Sequence, residues 1–385
     1  MSTQLGGYAG KVMKIDLTTR EVSEYPWTDE DRARYLGGKI MAAKILYDNI
    51  QAGTDAYAPE NMLVISTGPL SGTGAPSSSR FNISAISPLT NISASSNCGG
   101  DFGLTLKKAG YDALVITGKS ETPVWIEIKD DAVQFHDAAA LWGMTTGATQ
   151  EALGKGAGKM VIGPAGEHLV RYACVMSGDR AAGRAGMGAV MGAKNLKAVT
   201  ATGTHKCEPR QKEKMKRVYK SWIKLLKGHP LTGEALPKYG TANLVRLMQA
   251  NNQLATHNYK YGTFKDYDMV SGETMAEKHL VKNIGCTSCH INCGRLVEVN
   301  GKKVKGPELE TLGLLGPNIE NNNLVRILEW NYQLDELGMD TMSTGGTIGF
   351  AMELQEKGLW ECGLHFGESE NIAQIIDDIA HRRGI

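Results

Sequence analysis

The sequence has no apolar run approaching the roughly 18 residues needed to span a bilayer. Its first residues, MSTQLGGYAGKVMKIDL, lack the basic start and apolar stretch of a secretory signal. It also has almost no net charge: 42 Lys and Arg against 41 Asp and Glu leave +1. No single-sign field therefore favours nucleic acid, an anionic membrane or a polyanionic substrate. Seven cysteines, an odd number, argue against a disulfide framework in a chain of this size. These absences point to a cytoplasmic chain with no membrane span, whose clustered cysteines serve metal binding or redox chemistry.

What is present is an ordinary globular composition, 42% apolar and 22% charged over 385 residues, enough for two or three domains and a large core. Glycine is abundant, at 46 residues, and clusters in short runs that read as tight turns or as backbone lying close to something bulky. Short strand-like runs recur through the first 205 residues. Lys11 to Leu17 and Glu21 to Tyr25 suggest a hairpin, and Leu63–Ser66, Ala113–Thr117, Val124–Ile128, Met160–Ile162 and Ala198–Ala201 follow. Helical patterns intervene at Asp29–Asp48 and Thr146–Leu153. The irregular alternation predicts a mixed sheet. No repeat of fixed period is visible. Composition shifts near residue 207: a basic helical stretch, Glu208–Lys227, leads into a mainly helical region, with helices expected over Asn322–Leu337, capped by Gly338, and over Ser343–Gly358. The expectation is an α+β chain. Residues 1–207 form a β-rich domain and residues 208–385 a helical domain, with a helix running into the end of the sequence.

The sharpest local signal is Cys286-Thr-Ser-Cys289-His290-Ile-Asn-Cys293. Three thiolates within eight residues can turn toward one centre, as in iron–sulfur ligation. Local spacing leaves other readings open. Cys286 to His290 matches the C-x-x-C-H of covalent haem, but leaves Cys293 without a role. Structural zinc needs a fourth ligand that the adjacent His290 is badly placed to supply. Inert buried cysteines are common singly. Cys98, Cys174, Cys207 and Cys362 are scattered and lack a partner motif.

Three small-residue stretches surround isolated polar residues: 68–82 with Arg80, 97–103 with Asn97, and 178–188 with Arg180 and Arg184. Such backbone exposes N–H groups to phosphates, and arginine adds a bidentate donor. None is a known nucleotide loop. Residues 192–195, Gly-Ala-Lys-Asn, are not a P-loop, and Gly186-x-Gly188-x-x-x-Gly192 is one residue too long for a dinucleotide fingerprint. Each alone is more often a turn. Three in one domain, beside a cysteine cluster in the next, suggest a large phosphate-bearing cofactor.

Along essentially its whole length the chain resembles the aldehyde ferredoxin oxidoreductases, the tungsten bis-pterin enzymes. The matching stretches are collinear. They include Thr67-Gly-Pro-Leu-Ser-Gly-Thr, Leu106-Lys-Lys-Ala-Gly-Tyr-Asp-Ala, Ile162-Gly-Pro-Ala-Gly-Glu, Arg180-Ala-Ala-Gly-Arg and Gly188-Ala-Val-Met-Gly-Ala-Lys-Asn-Leu-Lys-Ala. Cys286-x2-Cys289-x3-Cys293, Gly306-Pro-Glu-Leu-Glu310 and Asp335-Glu-Leu-Gly-Met-Asp340 continue the series. The resemblance implies a mixed β platform cradling a tungsten (or molybdenum) bis-pterin, followed by helical domains. It implies a [4Fe–4S] cluster on Cys286, Cys289 and Cys293, and Mg2+ bridging the pterin phosphates. It implies oxidation of small aldehydes to carboxylic acids, with electrons passed to ferredoxin or another electron-transfer subunit, in a homodimer or larger complex. An aryl-CoA reductase subunit of the benzoyl-CoA type, or a non-catalytic subunit of such a complex, uses the same scaffold.

Residue by residue, Arg80 matches the arginine between pterin and cluster. Asn97, Ala181 and Ala182 match positions whose carbonyls bind the magnesium, with Gly183 and Arg184 in the same motif. Asp335, Gly338, Met339 and Asp340 match a D-x-x-G-L-type pterin motif, with Met339 replacing leucine. Glu310 matches an acid near the metal, a candidate for proton handling. Without the family it would read as a solvated or helix-capping residue. Glu329 matches a ligand of an interfacial iron in some members, but Tyr332 stands where its companion histidine would be, so no such iron is expected. The family's second pterin motif, fourth cluster cysteine and active-site histidine lie beyond this sequence. The expectation is therefore either a fragment or a site completed by another chain, with three corners of the cluster supplied here.

Overall fold

The computed structural model describes residues 3–384. Six strands form the first sheet: β1 (Lys11–Asp16), β2 (Val22–Glu24), β3 (Leu63–Thr67), β4 (Phe81–Ile86), β5 (Ser93–Cys98) and β6 (Tyr111–Thr117), in the order β2-β1-β6-β3-β4-β5. Six more form the second: β7 (Val124–Lys129), β8 (Ala132–Asp137), β9 (Gly158–Val161), β10 (Val175–Ser177), β11 (Arg180–Ala182) and β12 (Leu196–Thr202), in the order β8-β7-β12-β9-β10-β11. The two orders are the same with six added to each strand number. The senses agree as well: β1 runs parallel to β6 and β7 to β12, and the other neighbours are antiparallel in both sheets. A duplicated topology thus underlies a stretch in which the sequence shows no period. Unequal loops and divergent side chains hide it.

Burial explains the strand arrangement. β6 is buried at all seven positions and β3 at all five, as expected of central strands covered on both faces. The Phe102–Lys108 helix contacts β6 and β3 of the first sheet and β9 and β12 of the second. Its Phe102 and Leu106 join one core with Ile15, Ile65 and Leu114 of the first sheet and Ile126, Met160 and Val199 of the second. The Gly38–Asn49 helix covers the opposite face of the first sheet through Met41, Ile45 and Leu46. The single helix expected over Asp29–Asp48 is two, Asp29–Tyr35 and Gly38–Asn49. Between them Leu36 and Gly38 adopt positive φ, and Gly37 has its Cα-hydrogen side against the Thr67 carbonyl, leaving no room for a Cβ.

The chain beyond the second sheet is mainly helical, and the whole is α+β. Lys212–Gly228, Leu324–Leu337 and Thr341–Glu356 are helices near the expected positions, and Gly338 closes the second with φ 73°. The last helix, Ile372–Ala380, stops short of the final described residues. The cysteine segment departs from expectation. It is the loop between β13 (Leu280–Ile284) and β14 (Gly294–Val299) of a three-stranded antiparallel sheet completed by β15 (Lys302–Lys305). The polar, lysine-rich strands carry little apolar alternation, which is why sequence periodicity missed them.

The helical part is stitched to the second sheet at the 335–340 segment. Cys174 N donates to the Gly338 carbonyl (2.7 Å), Asp340 N to that of Tyr172 (3.2 Å) and Thr146 Oγ1 to that of Asp335 (2.8 Å). Glycine permits the close packing nearby. In the Met187–Ala193 helix a Cβ on Gly192 would lie 1.9 Å from the Gly166 carbonyl oxygen. Gly192→Ala is expected to destabilise the protein by about 2–3 kcal/mol through overpacking against backbone. The shift of the urea midpoint measures it, and an unchanged midpoint would show that the two helices can separate freely.

Candidate functional site

The edge strands of the two sheets, β5 and β11, lie at equivalent ends of the duplicated topology and contact each other. Edge strands offer unpaired backbone donors and acceptors. Here they border a cleft of about 530 Å³, within the range of cofactor sites. Ser95, Ser96 and Asn97 of β5 and Arg180 and Ala181 of β11 form its floor, and the 305–311 and 335–342 segments form its walls. Arg184 N donates to Ser96 Oγ (3.1 Å), tying the turn after β11 to β5.

Each wall is held by local capping chemistry. Asp340 precedes the Thr341–Glu356 helix and caps it, accepting from the Met342 and Ser343 amides at 3.3 and 3.1 Å. The same carboxylate pairs with Arg184 Nη1 at 2.5 Å, so one acid fixes both a helix start and a cleft arginine. Asp335 faces Lys305 Nζ at 3.7 Å, and both side chains are largely buried. Burial pushes the Asp335 carboxyl above its usual range, and Lys305 opposes this without overcoming it. Burial also works to lower the Lys305 pKa, but Asp335 and then Glu308 outweigh it and the ammonium is held more firmly. Their mutual attraction is reciprocal; the balances differ because Glu308 adds to it at Lys305, whereas Asp179 and Glu336 add to burial at Asp335.

Glu308 precedes the Leu309–Leu315 helix and connects the cleft to the cysteine loop. Its Oε2 accepts from Thr241 Oγ1 (2.6 Å) and from Arg295 Nη2 (3.4 Å), and its Oε1 lies 3.9 Å from Arg180 Nη1. Arg295 is fully buried and donates through Nη1 to the Cys293 carbonyl at 2.7 Å. Burial lowers its pKa against the pull of Glu308. Its Nε has no partner among the described residues.

The cysteines surround this junction. Ser288 and Asn292 take positive φ between them, folding the loop back on itself. Cys293 Sγ lines the cleft, and Cys286 lines an adjoining cavity of about 380 Å³ shared with Gly100, Asp179 and Arg180. Cys289 Sγ sits 3.4 Å from Ser77 Oγ. A Cβ on Gly99 would come within 2.8 Å of Cys286 Sγ, so only glycine leaves that sulfur free. Burial, then Glu308, pushes the Cys293 thiol up. Arg180 opposes that shift. Among the described residues no three His, Cys, Asp or Glu side chains close on a single ion position. Cys98, one residue from Gly99, points into the core with Phe81 and Phe102, and burial pushes its thiol up to about 12. Cys174 and Cys207 are buried too. None of the three is a free fourth ligand in this arrangement.

Of the residues singled out in the sequence, the cleft brings together Arg80, Asn97, Ala181, Gly183, Arg184, Cys293, Glu310, Asp335, Met339 and Asp340. Ala182 is not in it: its methyl group is in the core between the sheets. Gly338 forms the turn behind Met339. Cys286 and Cys289 lie outside the cleft. Glu310 is exposed in the first turn of its helix and makes no side-chain hydrogen bond among the described residues. Asn97 accepts from Asn82 Nδ2 at 3.0 Å. Glu329 accepts from Asn300 Nδ2. Sequence reasoning missed Glu308, Lys305 and Arg295, and gave Arg180 no role of its own. Glu308 stood in the quoted Gly306-Pro-Glu-Leu-Glu310 stretch, two positions from the acid that was chosen. Lys305 and Arg295 carried no signal, being ordinary cations in a polar hairpin.

Comparison with known proteins fits this arrangement. The family described as aldehyde ferredoxin oxidoreductase, N-terminal domain, matches residues 12–203, and domains 2 and 3 of the same family match residues 217–385. A tungsten-containing aldehyde ferredoxin oxidoreductase of Thermococcus kodakarensis is 42% identical over 393 residues, covering 98% of this chain and 65% of the relative. One of Pyrococcus furiosus is 40% identical with the same coverage. The chain thus spans 65% of the length of these curated relatives. Among solved structures, the active-site complex BamBC of benzoyl coenzyme A reductase with 1,5-dienoyl-CoA superimposes with a TM-score of 0.86 at 28% identity, covering 98% of this chain and 61% of that one.

Proposed function

The chain belongs to the aldehyde ferredoxin oxidoreductase family, and from that premise we propose that it forms the cofactor-binding portion of a tungsten (or molybdenum) bis-pterin enzyme. The proposed activity is oxidation of aldehydes to carboxylic acids, with electrons leaving through a [4Fe–4S] cluster to ferredoxin. The observation that carries the reading is the meeting of two sheet edges, the 335–340 turn and Cys293 on one cleft.

The donor set fits the groups. Arg80, Arg180, Arg184 and Lys305 supply cationic hydrogen-bond donors for two phosphates. Asn97 and Ala181, on the two facing edges, are candidates for the carbonyls that hold Mg2+. Cys286, Cys289 and Cys293 are the candidate cluster ligands. When bound, the metal–pterin group supplies the two-electron chemistry that side chains cannot. The chain's own residues orient and gate. Asp340 holds Arg184 toward the cleft, and Arg180 spans the cleft and the cavity of Cys286. Glu310, with no side-chain hydrogen bond among the described residues, is the candidate to position water or take a proton at the open side.

Metal and pterin analysis of the purified chain, with aldehyde-dependent viologen reduction, tests the proposal. Tungsten or molybdenum, organic pterin and aldehyde turnover are expected together. A folded protein without metal, or one that turns over aryl-CoA and not aldehydes, would overturn it.

A further inference from the structure

The Lys212–Gly228 helix is anomalous. None of its seventeen residues is fully buried. Of its apolar stripe at helical spacing, Met215, Tyr219, Trp222 and Leu226 are half-buried and Val218 is 45% exposed, with Leu225 beside it 73% exposed. Around the stripe stand six lysines and Arg217 against Glu213 alone. Lys212, Lys216, Lys220 and Lys224 follow each other at i, i+4 spacing, where like charges repel. Among the described residues, of these lysines only Lys212 and Lys216 pair with acids, Glu208 and Glu213. A local arrangement that costs stability without a folded-state gain is expected where a surface serves a function.

Its position indicates which function. Tyr219 OH bonds Thr73 Oγ1 at 2.9 Å. Four residues along the same loop, Ser77 N donates to the Ser288 carbonyl and Ser77 Oγ meets Cys289 Sγ at 3.4 Å. The contour between those two contacts is at most about 14 Å. At the start of the helix, Arg210, Lys214 and Met215 share with Gly7 and Leu70 a groove of about 300 Å³. A basic rim, the exposed Val218 and Leu225 and an adjoining groove therefore lie along the loop that reaches Cys289.

We infer that the Lys212–Gly228 helix is the docking surface for an acidic one-electron carrier protein, which it brings to the Cys289 side of the cysteine loop. This rests on the reading that the loop carries an electron-transferring cluster. Charge complementarity selects the occupant: the lysines steer an acidic partner in, and the exposed Val218 and Leu225 supply apolar contact once it is seated. A membrane surface would also attract these charges, but the loop contacts that run from Tyr219 and Thr73 to Ser77 and Cys289 favour a carrier protein.

The test is calorimetric binding of an acidic ferredoxin to the holoprotein, wild type against Lys216→Glu/Lys220→Glu/Lys224→Glu, at low and raised salt. The variant is expected to raise Kd at least about tenfold and to flatten its salt dependence. Lys220→Gln/Lys224→Gln, which reverses no charge, is expected to fall between, and a circular dichroism spectrum like that of wild type checks folding. Unchanged ferredoxin affinity in both variants would overturn the inference, as would lysine-dependent binding to phosphatidylserine vesicles with none to ferredoxin. Viologen reduction separates this inference from the catalytic reading. A holoprotein that binds ferredoxin through these lysines but does not oxidise aldehydes would sink the proposed reaction and leave the docking surface standing.

Discussion

On the proposed reading, replacing Cys293 with serine is expected to strip the [4Fe–4S] cluster from the protein and to cut electron delivery to ferredoxin by at least about a hundredfold. Losing even a supporting contact to a metal ligand typically costs 10–100-fold, and here a ligand itself is exchanged for a harder, far less acidic hydroxyl. Cys293 is the cysteine that lines the cofactor cleft, so its loss also opens the junction between the two redox sites. Iron and acid-labile sulfide per chain, with the visible absorption band, report the outcome. Cys362→Ser is the control, because that thiol points to the Ala351 carbonyl (3.6 Å) away from the loop. A Cys293→Ser protein with full iron and sulfide content would remove the cysteine loop from the cluster.

The second large effect is expected at Glu308. Its carboxylate is the counter-charge of Arg295, which has no exposure of its own. Glu308→Ala would leave that guanidinium buried with only carbonyl acceptors, the situation in which breaking a buried pair costs several kcal/mol. Glu308 is itself partly exposed, its side chain at 28%, so the loss is set lower, at about 2–3 kcal/mol. Because Arg295 also holds the Cys293 carbonyl, iron should be lost from this variant at a lower denaturant concentration than from the wild type. Glu308→Gln keeps an acceptor for Thr241 and is expected to lose about half as much. Denaturant midpoints followed by fluorescence and by iron release measure both. An alanine variant as stable as the parent would show that water replaces the carboxylate.

Seven of the fifteen strands of the described residues were legible, the central β3, β6 and β12 because their side chains are buried on both faces and read as apolar runs. β4 and β5 were not, because Phe81-Asn-Ile-Ser and Ser93-Ala-Ser-Ser-Asn interrupt that pattern with polar residues, Ser95, Ser96 and Asn97 at the cleft and Asn82 and Ser84 hydrogen-bonded beside them. The Gly-rich turns read as possible phosphate cradles, and two of the three flank the edge strands of the cleft. The Gly338 cap was legible, since a positive-φ glycine ends a helix in that way. The network of Arg180, Arg295, Lys305 and Glu308 was not. It depends on a polar hairpin folding against the second sheet, and no periodicity announces that contact. The fused Asp29–Asp48 helix failed for a local reason: its break is forced by the Thr67 carbonyl of another strand, which the helix's own residues cannot reveal.

The matching strand orders of the two sheets carry a historical and chemical consequence. A six-strand unit that paired with its own copy would present one edge strand from each partner, related by a dyad, as a natural seat for a ligand with two like halves. Joining the copies in one chain frees each half to change by itself. The first now brings Arg80 and Asn97 to the seat, and the second brings Arg180 and Arg184. On the proposed cofactor reading, a ligand with two like halves would thus meet unlike fields at the two edges.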